Sequence, residues 1–201
     1  MAYEFDVFIS YRRHGEWPVW SNEIFRPLFY HWLGEELGRD PRIFSDDDIE
    51  TGDSWPERLG NALGKSCVLV PLFSRQYFSS LWCQRELAHM FARESRCNYR
   101  TAECPHGLIV PAYIHDGRDF PHNVRMIQGA QLQKYTNVRL SKGSPTEERL
   151  SEEIRNWVPD VAKAIDGAPQ YDPDWMVLAV QSFLEEFAAT EAKQLVPPRL
   201  A

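Results

Sequence analysis

The chain has 201 residues, which is enough for one domain and a short appendage. Its hydrophobic content of 43% suits a packed core, and its net charge of −7 argues against a general nucleic-acid or anionic-membrane surface, because phosphates would be repelled. No apolar run approaches the roughly 20 residues needed to cross a bilayer, and the N-terminus lacks the pattern of a signal peptide. We therefore expect a cytoplasmic protein whose four cysteines are reduced.

Short apolar runs alternate with amphipathic segments along most of the chain. Apolar runs bounded by polar clusters predict buried strands. The predicted strands cover residues 5–10, 42–45, 67–73, 108–114 and, more weakly, 132–138. Pro71 indicates either that the third strand lies at a sheet edge or that the proline lies near its carboxyl end, because proline cannot donate a sheet hydrogen bond.

The segments between these strands carry apolar residues at helical spacing. The predicted helices cover residues 24–37, a segment capped by Ser54, residues 81–91, a segment from a capping box at 144–147 to about 165 that Pro159 bends or restarts, and a last segment from 172 to beyond 187. In the helix over 81–91, Leu81, Leu87 and Phe91 are expected to face the core. The last helix is expected to present one broad apolar face, formed by Met176, Val180, Phe183, Leu184 and Phe187.

This alternation predicts an α/β fold with a flavodoxin-like, doubly wound, five-stranded parallel sheet and helices on both faces. We expect the domain to cover residues 1–166, followed by a linker and a C-terminal amphipathic helix over 167–201. That helix is expected either to pack back onto the domain or to dock a partner protein or sensor module. Ligands of such sheets bind at the carboxyl ends of the strands, where the first strand places Ser10, Arg12 and Arg13.

Three segments carry a family resemblance. Residues 5–13, FDVFISYRR, form an apolar strand that leads into two arginines, and residues 45–55, SDDDIETGDSW, form a polar loop. Residues 82–86, WCQRE, put Trp82 and Glu86 on one face of a helix. In this order and at these separations, the segments resemble the TIR (Toll/interleukin-1 receptor) domain family, in particular its NAD-cleaving branch of bacterial type, over roughly residues 4–165.

The resemblance implies that Glu86 is the catalytic residue of an NAD⁺ glycohydrolase, with NAD⁺ as substrate and no cofactor. Nicotinamide leaves NAD⁺ as a neutral molecule, so one carboxylate suffices where ordinary glycosidases use an acid and base pair. An ionised glutamate stabilises the ribosyl cation of the transition state electrostatically. The alternative interpretation of Glu86 is a solvated helix glutamate.

Other residues of these segments are candidates for substrate binding. Arg12 or Arg13 is expected to contact the pyrophosphate or ribose by charge-assisted hydrogen bonds, with a surface ion pair as the alternative. Ser10 and Tyr11 are weaker candidates at the same edge. Trp82 either forms a wall of the ribose or nicotinamide pocket or only packs against the sheet.

The polar loop, called the BB loop in this family, supplies three more candidates. Asp46 belongs to an aspartate triplet that indicates an acidic turn rather than a cation site, and no metal is expected. Gly52 is expected to give the loop backbone freedom. Trp55 either closes over the nicotinamide, or over the adenine of a neighbouring chain, or is a buried aromatic in the first turn of a helix.

The sequence therefore favours an enzyme that releases nicotinamide and yields ADP-ribose or a cyclic isomer. The resemblance implies activation by head-to-tail self-association through the BB loop, and a role in immune or antiphage defence. The rival hypothesis is a non-enzymatic TIR adaptor that assembles signalling complexes. A third, weaker hypothesis is a receiver that binds a nucleotide without turnover.

Overall fold

The computed structural model describes residues 2–45 and 55–194, without the side chains of Trp55 and of residues 186–194. Five strands form one parallel sheet in the order β2-β1-β3-β4-β5. The strands are β1 Phe5–Ser10, β2 Ile43–Phe44, β3 Ser66–Phe73, β4 Ala112–Tyr113 and β5 Ala130–Gln131. Helices lie on both faces, so the predicted α/β, flavodoxin-like fold is confirmed.

The predicted helices are present in the predicted order, together with two short helices that were not predicted. The helices are α1 Trp17–Trp20, which passes through a π-helical turn Ser21–Phe25 into α2 Arg26–Leu37, then α3 Trp55–Gly64, α4 Leu81–Arg96, α5 His122–Arg125, α6 Pro145–Asp166 and α7 Asp174–Gln194. The two that were not predicted are α1 and α5. Gly38 ends α2 in the left-handed conformation (φ 64°), as its position after the last apolar residue predicts. Within the described residues, no helix is both long enough and apolar enough to cross a membrane.

The last two strands in the sheet order, β4 and β5, are shorter than predicted. The run over 108–114 is buried throughout, but only Ala112–Tyr113 is a strand, with one isolated bridge from Ile109 to Leu69. Pro111 interrupts the ladder because it has no N–H. The strand predicted over 132–138 is wrong, because β5 lies at Ala130–Gln131 and a 3₁₀ turn follows.

For two prolines, the structure excludes one of the two predicted alternatives. Pro71 lies in the central strand β3, paired with Ser10 near the carboxyl end, so the edge placement is wrong and the carboxyl-end placement is right. Pro159 does not restart the helix, because α6 is continuous over 22 residues. The apolar face of α6 continues across the proline through Ile154 and Val161, both fully buried, and this packing outweighs the lost hydrogen bond.

Helix α7 packs back onto the domain, across α3 and α4. Trp175, Ala179 and Phe183 are buried on its inner face, whereas Leu184 is 39% exposed and does not belong to that face. The backbones of α3 and α7 approach so closely at Gly60 that an added Cβ would lie 2.7 Å from the Cα of Val180. The C-terminal helix is therefore part of the packed structure.

Candidate active site

Strand β1 and helix α4 meet at the carboxyl edge of the sheet. Ser10 is the last residue of β1, and α4 begins shortly after the end of the neighbouring strand β3. The Ser80 side chain caps α4 by accepting a hydrogen bond from the backbone N–H of Cys83 at 3.4 Å. This cap fixes the first turn of α4, and Glu86 follows in the next turn.

Glu86 lies inside the protein and contacts the strand end. Its side chain is 3% exposed, and the Ser10 hydroxyl donates a hydrogen bond to its Oε2 atom. The Ser10 oxygen also lies 2.8 Å from the hydroxyl of Tyr77, a fully buried residue of the turn before α4. The structure therefore contradicts the solvated helix glutamate and brings Ser10 and Glu86 into direct contact.

Trp82 lies one turn before Glu86 and stacks on α7. Its ring is half-buried and lies parallel to that of Phe183, with centroids 5.5 Å apart and planes 4° apart. Beside it, Arg85 donates a 3.0 Å hydrogen bond to the Ser182 hydroxyl. The outer surface of α4 near the candidate site is thus covered by α7 rather than by the sheet. Leu81, at the start of the helix, is 47% exposed, so the prediction that it faces the core is wrong.

The remaining candidates at this edge differ in burial. Tyr11 is buried in the core, Arg12 is half-buried, and Arg13 is exposed directly beyond the strand. The two arginines therefore follow the Ser10 end of β1, and both side chains are at least partly accessible to a ligand. Asp46, Gly52 and the side chain of Trp55 lie outside the described residues.

No group of three or more histidine, cysteine or acidic side chains within residues 2–45 and 55–194 lies close enough together to hold a metal ion. Cys97 and Cys104 are free thiols, and Cys83 is buried in the core. Among the described residues at this edge, the Glu86 carboxylate and the hydroxyl groups of Ser10 and Tyr77 lie in contact.

A family model for the TIR domain matches residues 7–154 of the chain. The match includes most of β1, all of α4 and the first part of α6. The chain belongs to the TIR domain family.

The TIR domain is similar to one curated relative and to one solved structure. It is 29% identical over 104 residues to the Arabidopsis thaliana protein SUPPRESSOR OF npr1-1, CONSTITUTIVE 1. That match covers 52% of this chain and only 7% of the curated relative. Among solved structures, the TIR domains in the activated Roq1 resistosome, which directly recognises the pathogen effector XopQ, are 20% identical and align over 92% of this chain and 99% of theirs, with a TM-score of 0.43.

Sequence reasoning missed two residues of this TIR domain that touch the candidate site. Tyr77 contacts Ser10, and Phe183 covers Trp82. Tyr77 lies between β3 and the helix of Glu86, but this position does not indicate which residue its hydroxyl contacts. Phe183 was identified only as one member of an apolar helix face, and sequence gave no indication of which helix it covers.

Two other buried acids lie at the opposite, amino edge of the sheet. Asp6 accepts hydrogen bonds from Arg39 at 2.7 Å and from Arg42 at 2.7 Å. Burial would raise the pKa of Asp6, but these hydrogen bonds outweigh burial and hold its pKa well below the usual value. Glu94, near the end of α4, accepts from Arg100 at 2.7 Å and from the backbone N–H of Ile109 at 2.9 Å.

Proposed function

We propose that this TIR domain cleaves the bond between nicotinamide and ribose in NAD⁺, with Glu86 as the catalytic residue. The observation that carries the proposal is the position of Glu86, a carboxylate held by Ser10 at the carboxyl edge of a parallel sheet, where ligands of such sheets bind. The products are nicotinamide and ADP-ribose or a cyclic isomer of ADP-ribose.

The proposed chemistry requires little of the protein beyond one oriented negative charge. Nicotinamide departs with the electron pair of the broken C–N bond and becomes neutral, and positive charge develops on the ribose. A carboxylate in a largely dehydrated position stabilises this charge more strongly than it would in water. Water or the adenine ring then attacks the ribose C1′ atom and loses a proton, which gives the linear or the cyclic product.

In this proposal Glu86 faces the positive charge on the ribose, whereas Arg12 and Arg13 bind the negatively charged pyrophosphate. They follow Ser10 directly, and their guanidinium groups suit the pyrophosphate of NAD⁺. The overall net charge of −7 makes such a local basic feature necessary for an anionic ligand.

The burial of Glu86 supports activation by self-association. With a side chain that is 3% exposed, the carboxylate offers almost no surface to a substrate, so side chains around it must move before NAD⁺ can bind. Assembly of copies through the BB loop is the proposed cause of that opening, and immune or antiphage defence is the proposed role.

The test is nicotinamide release from NAD⁺ by the wild type and by Glu86→Ala, measured over a protein concentration series with and without a crowding agent. The matched control is Glu153→Ala, which removes an exposed glutamate from helix α6. We expect turnover per chain to rise with concentration, to vanish in Glu86→Ala and to persist in Glu153→Ala. A folded wild type that releases no nicotinamide under any assembling condition would contradict the proposal and favour a non-enzymatic adaptor.

A further inference from the structure

Glu86, Ser10 and Tyr77 form a continuous line of hydrogen bonds. The Ser10 hydroxyl contacts Oε2 of Glu86 on one side and the Tyr77 hydroxyl, at 2.8 Å, on the other. The Tyr77 hydroxyl in turn lies 3.3 Å from the backbone carbonyl oxygen of Cys83, in the first turn of α4. The line therefore begins at the candidate catalytic carboxylate and ends on the helix that carries it.

Counting protons gives this line a direction. Each hydroxyl has one proton to donate, and an ionised carboxylate can only accept. When Glu86 is ionised, the Ser10 proton points to Glu86, and the Ser10 oxygen accepts the proton of Tyr77. When Glu86 is protonated, it can donate to Ser10, which lets Ser10 donate to Tyr77 and Tyr77 to the Cys83 carbonyl. The orientation of the Tyr77 proton is thus coupled to the charge of Glu86.

The surrounding packing holds Tyr77 in place for this role. Its ring is fully buried and contacts Phe73 edge-on, with centroids 5.0 Å apart, and Phe78 at 5.2 Å. Its backbone N–H donates to the carbonyl of Ser74 at 3.2 Å, which fixes the turn. These contacts within the protein therefore hold the Tyr77 hydroxyl at the end of β1.

We propose that Tyr77 is a positioning residue for Glu86. Its hydroxyl donates to Ser10, which keeps the Ser10 proton on Glu86 and holds the ionised carboxylate in one orientation toward the developing ribose cation. Hydrogen bonds in a line polarise one another, so Tyr77 strengthens the contact between Ser10 and Glu86 without touching the substrate. The catalytic part of this inference rests on the proposed NAD⁺ cleavage.

The test compares Tyr77→Phe with Tyr113→Phe, since each variant loses one hydroxyl and keeps the ring. Tyr113 is also buried, and its hydroxyl lies within hydrogen-bonding distance of two carbonyl oxygens, those of Val124 at 2.9 Å and Ile127 at 2.6 Å. We expect Tyr77→Phe to lower kcat about tenfold with KM unchanged, as for an interaction that acts in the transition state. Tyr113→Phe is expected to leave kcat unchanged. Equal effects of the two variants would overturn the inference.

A double variant separates positioning from a general loss of structure. In Ser10→Ala the line is already broken, so adding Tyr77→Phe should lower kcat no further. Additive losses would contradict the inference, because Tyr77 would then act on Glu86 by a route other than Ser10.

A second readout does not depend on activity. The ¹³C chemical shift of the Glu86 carboxyl carbon, identified as the resonance absent from Glu86→Gln, is expected to move in Tyr77→Phe and to stay unchanged in Tyr113→Phe at the same pH. An unmoved resonance in Tyr77→Phe would overturn the inference even in an active enzyme. A wild type without NAD⁺ cleavage would overturn the proposed function, while this spectrum would still decide whether Tyr77 positions Glu86.

Discussion

The two edges of the sheet treat buried acids differently. At the amino edge, each buried acid forms ion pairs with arginine. Asp6 pairs with Arg39 and Arg42, and Glu94 pairs with Arg100. At the carboxyl edge, Glu86 is equally buried and accepts a hydrogen bond from the neutral hydroxyl of Ser10. Helix α4 carries both kinds of acid, with Glu86 in its first half and Glu94 in its second half.

We propose that this difference separates structural carboxylates from the proposed catalytic carboxylate of Glu86. An arginine partner stabilises a carboxylate but also neutralises its negative charge. A carboxylate in such a pair is therefore poorly suited to stabilise a cation on a substrate. A hydroxyl partner orients a carboxylate and leaves its charge available to a cation. We therefore expect substitutions at the amino edge to change stability and substitutions at the carboxyl edge to change turnover.

The largest expected effect on stability belongs to Glu94→Gln. The substitution leaves Arg100 without its carboxylate and weakens acceptance from two backbone N–H groups, those of Leu108 and Ile109. We expect the free energy of unfolding to fall by about 3 kcal/mol, as for a broken buried pair. Denaturant unfolding measures this change, and an unchanged midpoint would contradict the structural role of Glu94.

The next largest effect is a pH-dependent loss of unfolding free energy in Asp6→Asn. The charge-assisted hydrogen bonds from Arg39 and Arg42 are weakened, and we expect a loss of about 2 kcal/mol near neutral pH. Because the folded state lowers the pKa of Asp6, its contribution is complete above the usual aspartate pKa of about 3.9 and is lost as pH falls below it.

Urea unfolding of the wild type and Asp6→Asn over a pH series measures this window. The difference between the two proteins should shrink as the solution is acidified below about pH 4. A difference that stays constant down to pH 2 would contradict the pairing of Asp6 with the two arginines.

A smaller effect is expected where α7 meets α3. The Cβ of Gly60→Ala would lie within 2.7 Å of the α7 backbone, so we expect a loss of about 1 to 2 kcal/mol from forced separation of the helices. Gly34→Ala in α2 is the matched control, since its nearest atom outside the helix lies 3.4 Å away. Thermal unfolding should show a neutral or stabilising change at Gly34, and the reverse ranking would contradict the close packing of α7.

The smallest expected effect is on substrate affinity at Arg12 and Arg13. We expect Arg12→Ala or Arg13→Ala to raise KM for NAD⁺ about tenfold, through loss of one charge-assisted hydrogen bond to the pyrophosphate. Initial rates over a range of NAD⁺ concentrations measure this change. Wild-type KM in both variants would leave these arginines outside the proposed site.

The sequence predicted those parts of the fold in which local pattern and packing agree. Strand β1 has the predicted bounds, and Ser144 caps α6 as predicted, with its hydroxyl accepting a hydrogen bond from the Glu147 N–H at 3.2 Å. The Glu147 carboxylate accepts from the Gly143 N–H rather than from that of Ser144, so the box is not reciprocal. The prediction of a strand over 132–138 failed because the scattered apolar residues of this segment do not distinguish a strand from a partly exposed turn. The continuity of α6 at Pro159 also depends on tertiary packing, which local propensity does not contain.

The site was predictable only in part for a related reason. The residues Ser10 and Glu86 lie in separate segments, and the order of parallel strands places both at the carboxyl edge. The contacts of Tyr77 and Phe183 with this site arise from the fold, because a hydroxyl at a turn and an aromatic on a distant helix carry no local signal of a partner.

The most direct test of the two-edge account measures stability and turnover together in Glu86→Gln and Glu94→Gln. The account predicts that Glu86→Gln unfolds within about 1 kcal/mol of the wild type and loses nicotinamide release by on the order of 10²-fold. Glu94→Gln should lose stability and keep turnover at a temperature where it remains folded. A Glu86→Gln protein that keeps wild-type turnover, or that loses as much stability as Glu94→Gln, would contradict the account.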